Sequence, residues 1–365
     1  MQNLLILSSS TGGGHNMRAY ALKYWWEKKG GVAKVSHPLE STFKLYKFGS
    51  ELYNVIQKYC PRLHFLYFFF LEYANLHRKG FAILGAQNWI NEVLSFNPRI
   101  VVSVHAHLNH GYFDLLRSKL KSPFKFFIYC GEMGDSIGFS RHWVNKNADG
   151  FFGPFSDTCD AAIKKGMPIK KTFLVEPLLR PAFYKRCNKS EIEFLLTKYG
   201  LSMEKPIFLL GTGANGVNRH IEILSALDLF QNDFQVVALC GNNVPIYERV
   251  LKVRDKYKFK ILPLKLIDDH EMVIFLSICK FFYTRPGAGS TTEAVACGAP
   301  IIFDISGGLM PQEINNLNFW KSRVTKLIAL KDPKKIKKFI IQSIPKLKVE
   351  IEDTPRKLIN KLEEG

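Results

Sequence analysis

The stretch LLILSSSTGGGHNMRAYAL, residues 4–22, runs from apolar residues through a small-residue turn and three glycines to a histidine. Leu4 to Leu7 is a short apolar run bounded by turn residues, the pattern of a fully buried strand, and Met17, Tyr20, Ala21, Tyr24 and Trp25 recur behind it at helical spacing. The expected unit is strand, glycine turn, helix. Glycine serves where the backbone takes positive φ or approaches a ligand closely, and the helix start that follows offers unpaired N–H groups and a positive dipole end. His15 is thereby expected at the mouth of an anion or substrate site, although the same residues suit a tight turn with a surface histidine.

The opening pattern returns at PIFLLGTGANG (206–216), followed by a helical pattern from Val217 to Phe230. Two such beginnings, about 200 residues apart, imply two Rossmann-like halves. RIVVSV, FKFFIYC and KTFLVE supply further strands in the first half, and QVVALCG, KFKILPL, FFYTRPG and PIIFD in the second, alternating with helical stretches as in a parallel α/β sheet. EPLLRPAFYKR (176–186) is the natural linker. The expected domains are 1–180, carrying an aromatic helical insertion over 40–95, and 181–365, ending in basic helices from about 331. GTGANG matches GxGxxG, but the next strand ends Leu239-Cys240-Gly241-Asn242, without the carboxylate that a dinucleotide ribose requires, which disfavours NAD.

With 365 residues, 47% hydrophobic and 23% charged, the chain has room for two cores. Its formal charge of +19 favours a phosphorylated substrate, an anionic membrane surface or a nucleic acid. No nucleic-acid-binding motif accompanies the charge, so nucleic acid is not an expected partner. Seven cysteines without a CxxC pair suggest free thiols in a reducing compartment, and the cytoplasm is the expected location. The apolar stretch Leu63 to Leu71 is far below the ~20 residues of a spanning helix. The first strand has no basic segment before it, so no signal peptide is expected.

RPGAGSTTEAVACGAPIIF (285–303) reads as a strand end, a glycine loop, a short helix from Ser290 to Ala296 and a buried strand. The N–H groups of that helix would hold a diphosphate without a metal, and Glu293 would accept from ribose hydroxyls. MPQEINNLNFW follows, where Gln312, Glu313 and Asn316 suit sugar hydroxyls.

These pieces occur in one order that resembles the monogalactosyldiacylglycerol synthase and processive diacylglycerol glucosyltransferase group, related to the peptidoglycan lipid I N-acetylglucosaminyltransferase. The matching segments are STGGGHNMRAYAL, FNPRIVVSVHAHLNH (96–110), HWVNKNADGFF (142–152), LLRPAFY (178–184), LCGNN (239–243), TRPGAGSTTEA (284–294) and PQEINN (311–316). The resemblance implies a GT-B fold, two Rossmann-like domains facing each other across a cleft. It implies an inverting transfer of hexose from UDP-galactose or UDP-glucose to a diacylglycerol-like lipid at a membrane surface, with no cofactor beyond the co-substrate. His15 falls on the family's loop histidine, a general-base candidate, since an unperturbed imidazole titrates near neutrality. Gly13, Gly14 and His105 fall on the acceptor side. Gly211, Gly213, Gly241, Asn242, Arg285, Gly287, Gly289, Ser290, Thr291, Glu293, Gln312, Glu313 and Asn316 fall on the donor side.

The chain departs from the family at Ser10, where relatives tend to have an acidic residue, and at CGEMGD (130–135), where they show Thr-Asp. Counting back from Trp143 makes Asp135 the equivalent carboxylate, with Glu132 second. Arg285 stands where several relatives have lysine and is expected to reach a phosphate or the base. His105, His107 and His110 have a spacing known among metal ligands, but no carboxylate partner is evident, so no metal is expected. The aromatic insertion either buries its rings or lies on a membrane, with Lys47, Lys58, Arg62, Arg78 and Lys79 near headgroups. Three alternatives share this fold: a UDP-N-acetylglucosamine-type transferase, a 2-epimerase of UDP-N-acetylglucosamine, and a silent nucleotide-sugar-binding protein.

Overall fold

The structure is a computed structural model that describes residues 2–10, 13–42, 52, 56, 63–74, 83, 85–135, 137–211, 219–228, 233–339, 342–347 and 352–364. The first half runs β1 (Asn3–Leu7), α1 (Gly14–Lys28), β2 (Val32–Ser36), α2 (Pro38–Thr42), α3 (His64–Ala74), α4 (Gln87–Phe96), β3 (Ile100–Ser103), α5 (Gly111–Lys119), β4 (Lys125–Tyr129), β5 (Gly150–Gly153), α6 (Ser156–Lys164) and β6 (Thr172–Leu174). The second half runs α7 (Lys189–Lys198), β7 (Ile207–Leu210), α8 (His220–Leu227), β8 (Gln235–Leu239), α9 (Val244–Val253), β9 (Lys260–Leu264), α10 (Asp269–Ile278), β10 (Phe281–Thr284), α11 (Ala288–Ala296), β11 (Ile301–Asp304), α12 (Pro311–Lys321) and β12 (Ile328–Leu330). A last helix, α13, spans Arg356–Glu364.

Each half is built on a parallel six-stranded sheet, ordered β2-β1-β3-β4-β5-β6 in the first and β12-β11-β10-β7-β8-β9 in the second. Helices cover both faces of such sheets, so their central strands are apolar on both sides. Every residue of β3, β7 and β10 is buried accordingly. Strand order reverses at β1/β3 in the first sheet and at β7/β10 in the second. Loops leaving the carboxyl ends of strands at such a reversal diverge to opposite faces and leave a crevice for a ligand. Both glycine turns of the sequence leave from these points.

Cα partners Leu4↔Ala33 and Leu4↔Ile100 seat β1 in the middle of its sheet. The two halves meet directly at several places. A Cβ on Gly138 would stand 2.2 Å from the Pro311 carbonyl oxygen, so only glycine allows that approach. Asn315 donates to the Gly134 carbonyl at 2.5 Å, and the Phe155 and Phe319 rings lie 4.7 Å apart.

The C-terminal helix departs from a boundary at 181. Leu358, Ile359 and Leu362 of α13 pack with Leu4, Ile6, Trp26 and Val102 of the first half. Glu176, at the linker, accepts from the Lys357 and Leu358 N–H groups at 3.0 and 3.2 Å. That carboxylate answers the positive end of α13, so the chain closes back on its first sheet. The basic segment after 331 forms a 3-10 turn over Pro333–Phe339 rather than a continuous helix.

Candidate active site in the crevice

Behind β1 the polar turn is tied down by side chains. Ser8 donates to Asn16 at 2.7 Å, and the Ser10 N–H and Ser9 hydroxyl donate to Glu40 at 2.6 and 2.9 Å. Glu40 comes from α2, and nothing in the linear motif announced it. A carboxylate therefore stands beside Ser10 in space, although the sequence has no acid at that position. Gly13 takes φ 78° as the N-cap of α1, the left-handed conformation the glycine turn predicted. Thr11 and Gly12 lie outside the described residues, as does Gly213 in the second turn.

His15 is half-buried at the first turn of α1. Its Nδ1 lies 2.7 Å from the Val104 carbonyl, which only accepts, so Nδ1 carries the proton and the Nε2 lone pair is the ring's acceptor. Burial and the neighbouring Arg18 charge hold the imidazole down to about 4, partly opposed by the Val104 hydrogen bond. The expectation of a group titrating near neutrality is thus corrected: His15 is neutral across physiological pH. His105 stacks edge-on to it at 4.5 Å, and Trp143 lies 6.1 Å away. His107 follows His105 at 5.6 Å and His142 follows His107 at 4.9 Å, making a row of rings. Among the described residues no group of three or more His, Cys, Asp or Glu is placed to hold a metal.

Asp135 is exposed and pairs with Lys164 at 3.2 Å, on the surface of α6. Glu132 is half-buried; burial raises its carboxyl above the usual range and Arg18 opposes the rise. Arg18 acts on both Glu132 and His15, so the geometry associates Glu132, not Asp135, with the α1 wall.

The opposite wall comes from β10, α11, β11 and α12. Gly287 caps α11 without a side-chain cap, and Ser290 donates back to its carbonyl at 3.3 Å. A Cβ on Gly289 would stand 3.0 Å from the Met17 Cε, so α11 and α1 face each other across the crevice with glycine at the point of approach. A small cavity there is lined by Met17, Arg18, Gly131, Leu179, Gly289 and Thr292 among others. The structure therefore brings the helix behind the first half's glycine turn against the glycine loop of the second.

Several donor-side residues have different partners from those expected. Glu293, 4% exposed, accepts a two-pronged bond from the linker's Arg180 at 2.7 Å each, and Arg180 also pairs with Asp269 at 2.5 Å. Glu313 is taken by Arg285 in the same fashion and by the Met310 N–H at 3.0 Å. These two carboxylates hold the wall together rather than standing free. Thr284 Oγ1, Arg285 Nη1, Thr291 Oγ1, Gln312 Oε1 and Asn316 Oδ1 are buried without a hydrogen-bond partner among the described residues. Buried polar atoms are nearly always satisfied, so these five leave hydrogen-bonding capacity unused along this wall. Gly211 is buried and its N–H donates to Tyr283 at 2.9 Å; a Cβ there would meet the Phe282 ring at 3.0 Å, a packing role. Gly241, at φ 56°, turns the chain after β8, while Asn242 is exposed and its neighbour Asn243 caps α9.

The insertion helix α3 docks beside the histidine row. Glu72 accepts from the Ser140 hydroxyl and, at 3.2 Å, from the Arg141 N–H, and His142 Nε2 meets the Leu71 carbonyl at 3.2 Å. Lys47, Lys58, Arg62, Arg78 and Lys79, expected near headgroups, lie outside the described residues. Phe68 is buried at 7% exposure, whereas Leu66, Phe70 and Tyr73 are 71, 58 and 75% exposed. No helix among the described residues is long and apolar enough to cross a membrane.

No family model matches the sequence. A processive diacylglycerol beta-glucosyltransferase of Bacillus cytotoxicus is 23% identical over 352 residues, covering 90% of this chain and 82% of that protein. Proteins named probable monogalactosyldiacylglycerol synthase, from Glycine max and Nicotiana tabacum, are 23 and 24% identical; they cover 87 and 93% of this chain, which spans 61 and 64% of their length. Among solved structures, MurG of Acinetobacter baumannii aligns over 100% of both chains at TM-score 0.60 and 11% identity. Arabidopsis thaliana UGT89C1 complexed with UDP aligns over 100% of this chain and 94% of that one at TM-score 0.58 and 11% identity. The UDP-GlcNAc 2-epimerase of Methanocaldococcus jannaschii gives 0.56 at 12% identity over both full chains. The chain has the GT-B fold, and its sequence is similar along most of its length to processive diacylglycerol beta-glucosyltransferases and monogalactosyldiacylglycerol synthases.

Proposed function

We propose that this protein is an inverting glycosyltransferase that moves a hexose from UDP-glucose or UDP-galactose to a diacylglycerol-like lipid. The observation that carries the reading is the meeting of α1, whose first turn carries His15 with its Nδ1 on the Val104 carbonyl, and the glycine-loop end of α11, where Met17 approaches Gly289. In this reading the acceptor hydroxyl attacks the anomeric carbon and its proton passes to His15 Nε2. The bond from that carbon to the diphosphate breaks, its electron pair leaves with UDP, and an α-linked donor gives a β-glycoside. No cofactor enters it.

The first half would receive the acceptor and the second the nucleotide sugar, whose contacts would be the unpartnered atoms of Thr284, Thr291, Gln312 and Asn316. Exposed Leu66, Phe70 and Tyr73 on α3, with the charge of +19, support peripheral binding to an anionic membrane, on its cytoplasmic face. That apolar helix has no use in an epimerase acting on the nucleotide sugar alone, which weighs against that alternative. Incubation with labelled UDP-sugars and lipid extract tests the reading. Label in the lipid phase is expected; an epimerised nucleotide would point to the epimerase, and neither product to a silent binding protein.

A further inference from the structure

The inner side of α3 makes a reciprocal joint with the turn at residues 140–143. Glu72 stands in the last turn of α3, where a carboxylate faces the negative end of the helix dipole and disfavours the helix. Its side chain, 14% exposed, serves the turn instead: it accepts from the Ser140 hydroxyl and the Arg141 N–H, and its Oε2 lies 3.9 Å from Arg141 Nε. The turn answers in kind. Arg141 Nη2 donates to the Glu72 carbonyl and His142 Nε2 to the Leu71 carbonyl, two of the acceptors that a helix leaves unpaired at its C-terminal end.

That turn leads to His15 by two routes. Trp143, 2% exposed, brings its ring to 6.1 Å from the imidazole, and His142 stands in the row that passes through His107 and His105 to His15. The His15 ring is held at Nδ1 by the Val104 carbonyl. A bond at one ring atom fixes a distance but not the tilt of the ring, so the rings packed beside it set where Nε2 points. The same segment is in register with the donor wall: a Cβ on Gly138 would stand 2.6 Å from the Gln312 nitrogen, and α3 itself packs on α12.

We propose that Glu72 is a positioning residue: by holding the 140–143 turn to α3 it fixes the ring packing beside His15, and with it the aim of Nε2 at the acceptor hydroxyl. This rests on the reading of His15 as general base given above, and it extends the machinery to a helix outside the glycine motifs. Displacing a reacting group by about 1 Å costs on the order of 10²-fold in rate, so a joint that touches no substrate can still govern turnover. The same helix turns Leu66, Phe70 and Tyr73 outward. One element thereby carries both the proposed lipid contact and the packing of the base.

The test is a double-mutant cycle in lipid transfer, with labelled UDP-glucose and UDP-galactose as donors and dioleoylglycerol in phosphatidylglycerol vesicles as acceptor. Glu72→Gln keeps the size of the side chain and removes its charge. It is expected to lower kcat by about 10-fold, with UDP affinity by calorimetric titration and vesicle co-sedimentation at wild-type levels. In the His15→Ala background the same substitution is expected to leave kcat within about twofold, because the group it positions is gone. Wild-type kcat in Glu72→Gln overturns the proposal alone. So does an equal loss in both backgrounds, as a purely structural joint would give, or a loss of UDP affinity alongside kcat. Should Glu72→Gln not fold, Ser140→Ala removes the hydroxyl that donates to Glu72 and is expected to give the same pattern at about threefold; equal losses in both backgrounds overturn the proposal there. Near-wild-type turnover in His15→Ala sinks the general-base reading and this proposal with it. A wild type that transfers no sugar to lipid sinks the glycosyltransferase reading as well.

Discussion

At the scale of single residues, the roles of His15 and Glu293 are set by their partners. His15→Ala is expected to lower turnover by about 10² to 10⁴ with UDP affinity nearly unchanged, because general-base help acts in the transition state. Steady-state kinetics beside a UDP titration checks it, and activity within a few-fold of wild type removes His15 from the role. Because the imidazole is held down to about 4, its contribution to kcat/KM is expected to be flat from pH 6 to 8 and to fall only well below 6.5. An acid limb centred near 6.5 would show that burial does not act on the ring as the structure implies. Arg180 and Glu293 form a pair across the linker. Arg180→Ala leaves a buried carboxylate alone and is expected to cost about 3 kcal/mol in urea unfolding, much of it recovered in Arg180→Ala/Glu293→Gln. Strictly additive losses in the double variant would mean that the pair is not coupled.

At the scale of elements, α3 shows why a run of aromatic residues is hard to read from letters alone. Phe68, Phe69 and Phe70 look equivalent in HFLYFFFLEY, yet 100° of rotation per residue sends Phe68 into protein and Phe70 into solvent. The outward set Leu63, Leu66, Phe70 and Tyr73 follows helical spacing on one face. Leu66→Ser with Phe70→Ser is expected to leave the fold intact and to remove the salt-resistant part of binding to phosphatidylglycerol vesicles in co-sedimentation. Phe68→Ser is expected instead to destabilise the protein by about 3 kcal/mol or more, through lost burial and a buried hydroxyl. Unchanged salt-resistant binding by the outward pair would exclude α3 as the membrane contact.

At the scale of the whole molecule, buried histidines make folding depend on pH. His220 is fully buried, its Nε2 at 2.8 Å from the Leu239 carbonyl, and burial holds it down to about 4, as it does His15. Each folded value lies below the unfolded 6.5, so the unfolded chain takes protons first as pH falls. The stability they contribute is complete above 6.5 and is lost as pH falls toward 4, on the order of 3 kcal/mol for His220. His220→Gln is expected to flatten the dependence of the urea midpoint on pH between 4.5 and 7. A slope equal to wild type would show that His220 is not the group responsible.

The sequence by itself determined the two parallel α/β halves, the glycine turns at their strand ends and the identity of the loop histidine. Buried parallel strands must be continuous apolar runs, and a strand-to-helix turn that approaches a ligand needs glycine, so both leave local marks in the chain. Tertiary structure alone decided what the polar residues do. Glu293 and Glu313 read as ribose and sugar ligands in the sequence, and only the fold shows that Arg180 and Arg285 are bonded to them and that Glu40 reaches Ser10 from another helix. Asp135 and Glu132 differ by three positions in the chain, but only Glu132 comes under the charge of Arg18. Charge acts through space at a few ångströms, and which groups come that close is set by how distant segments pack.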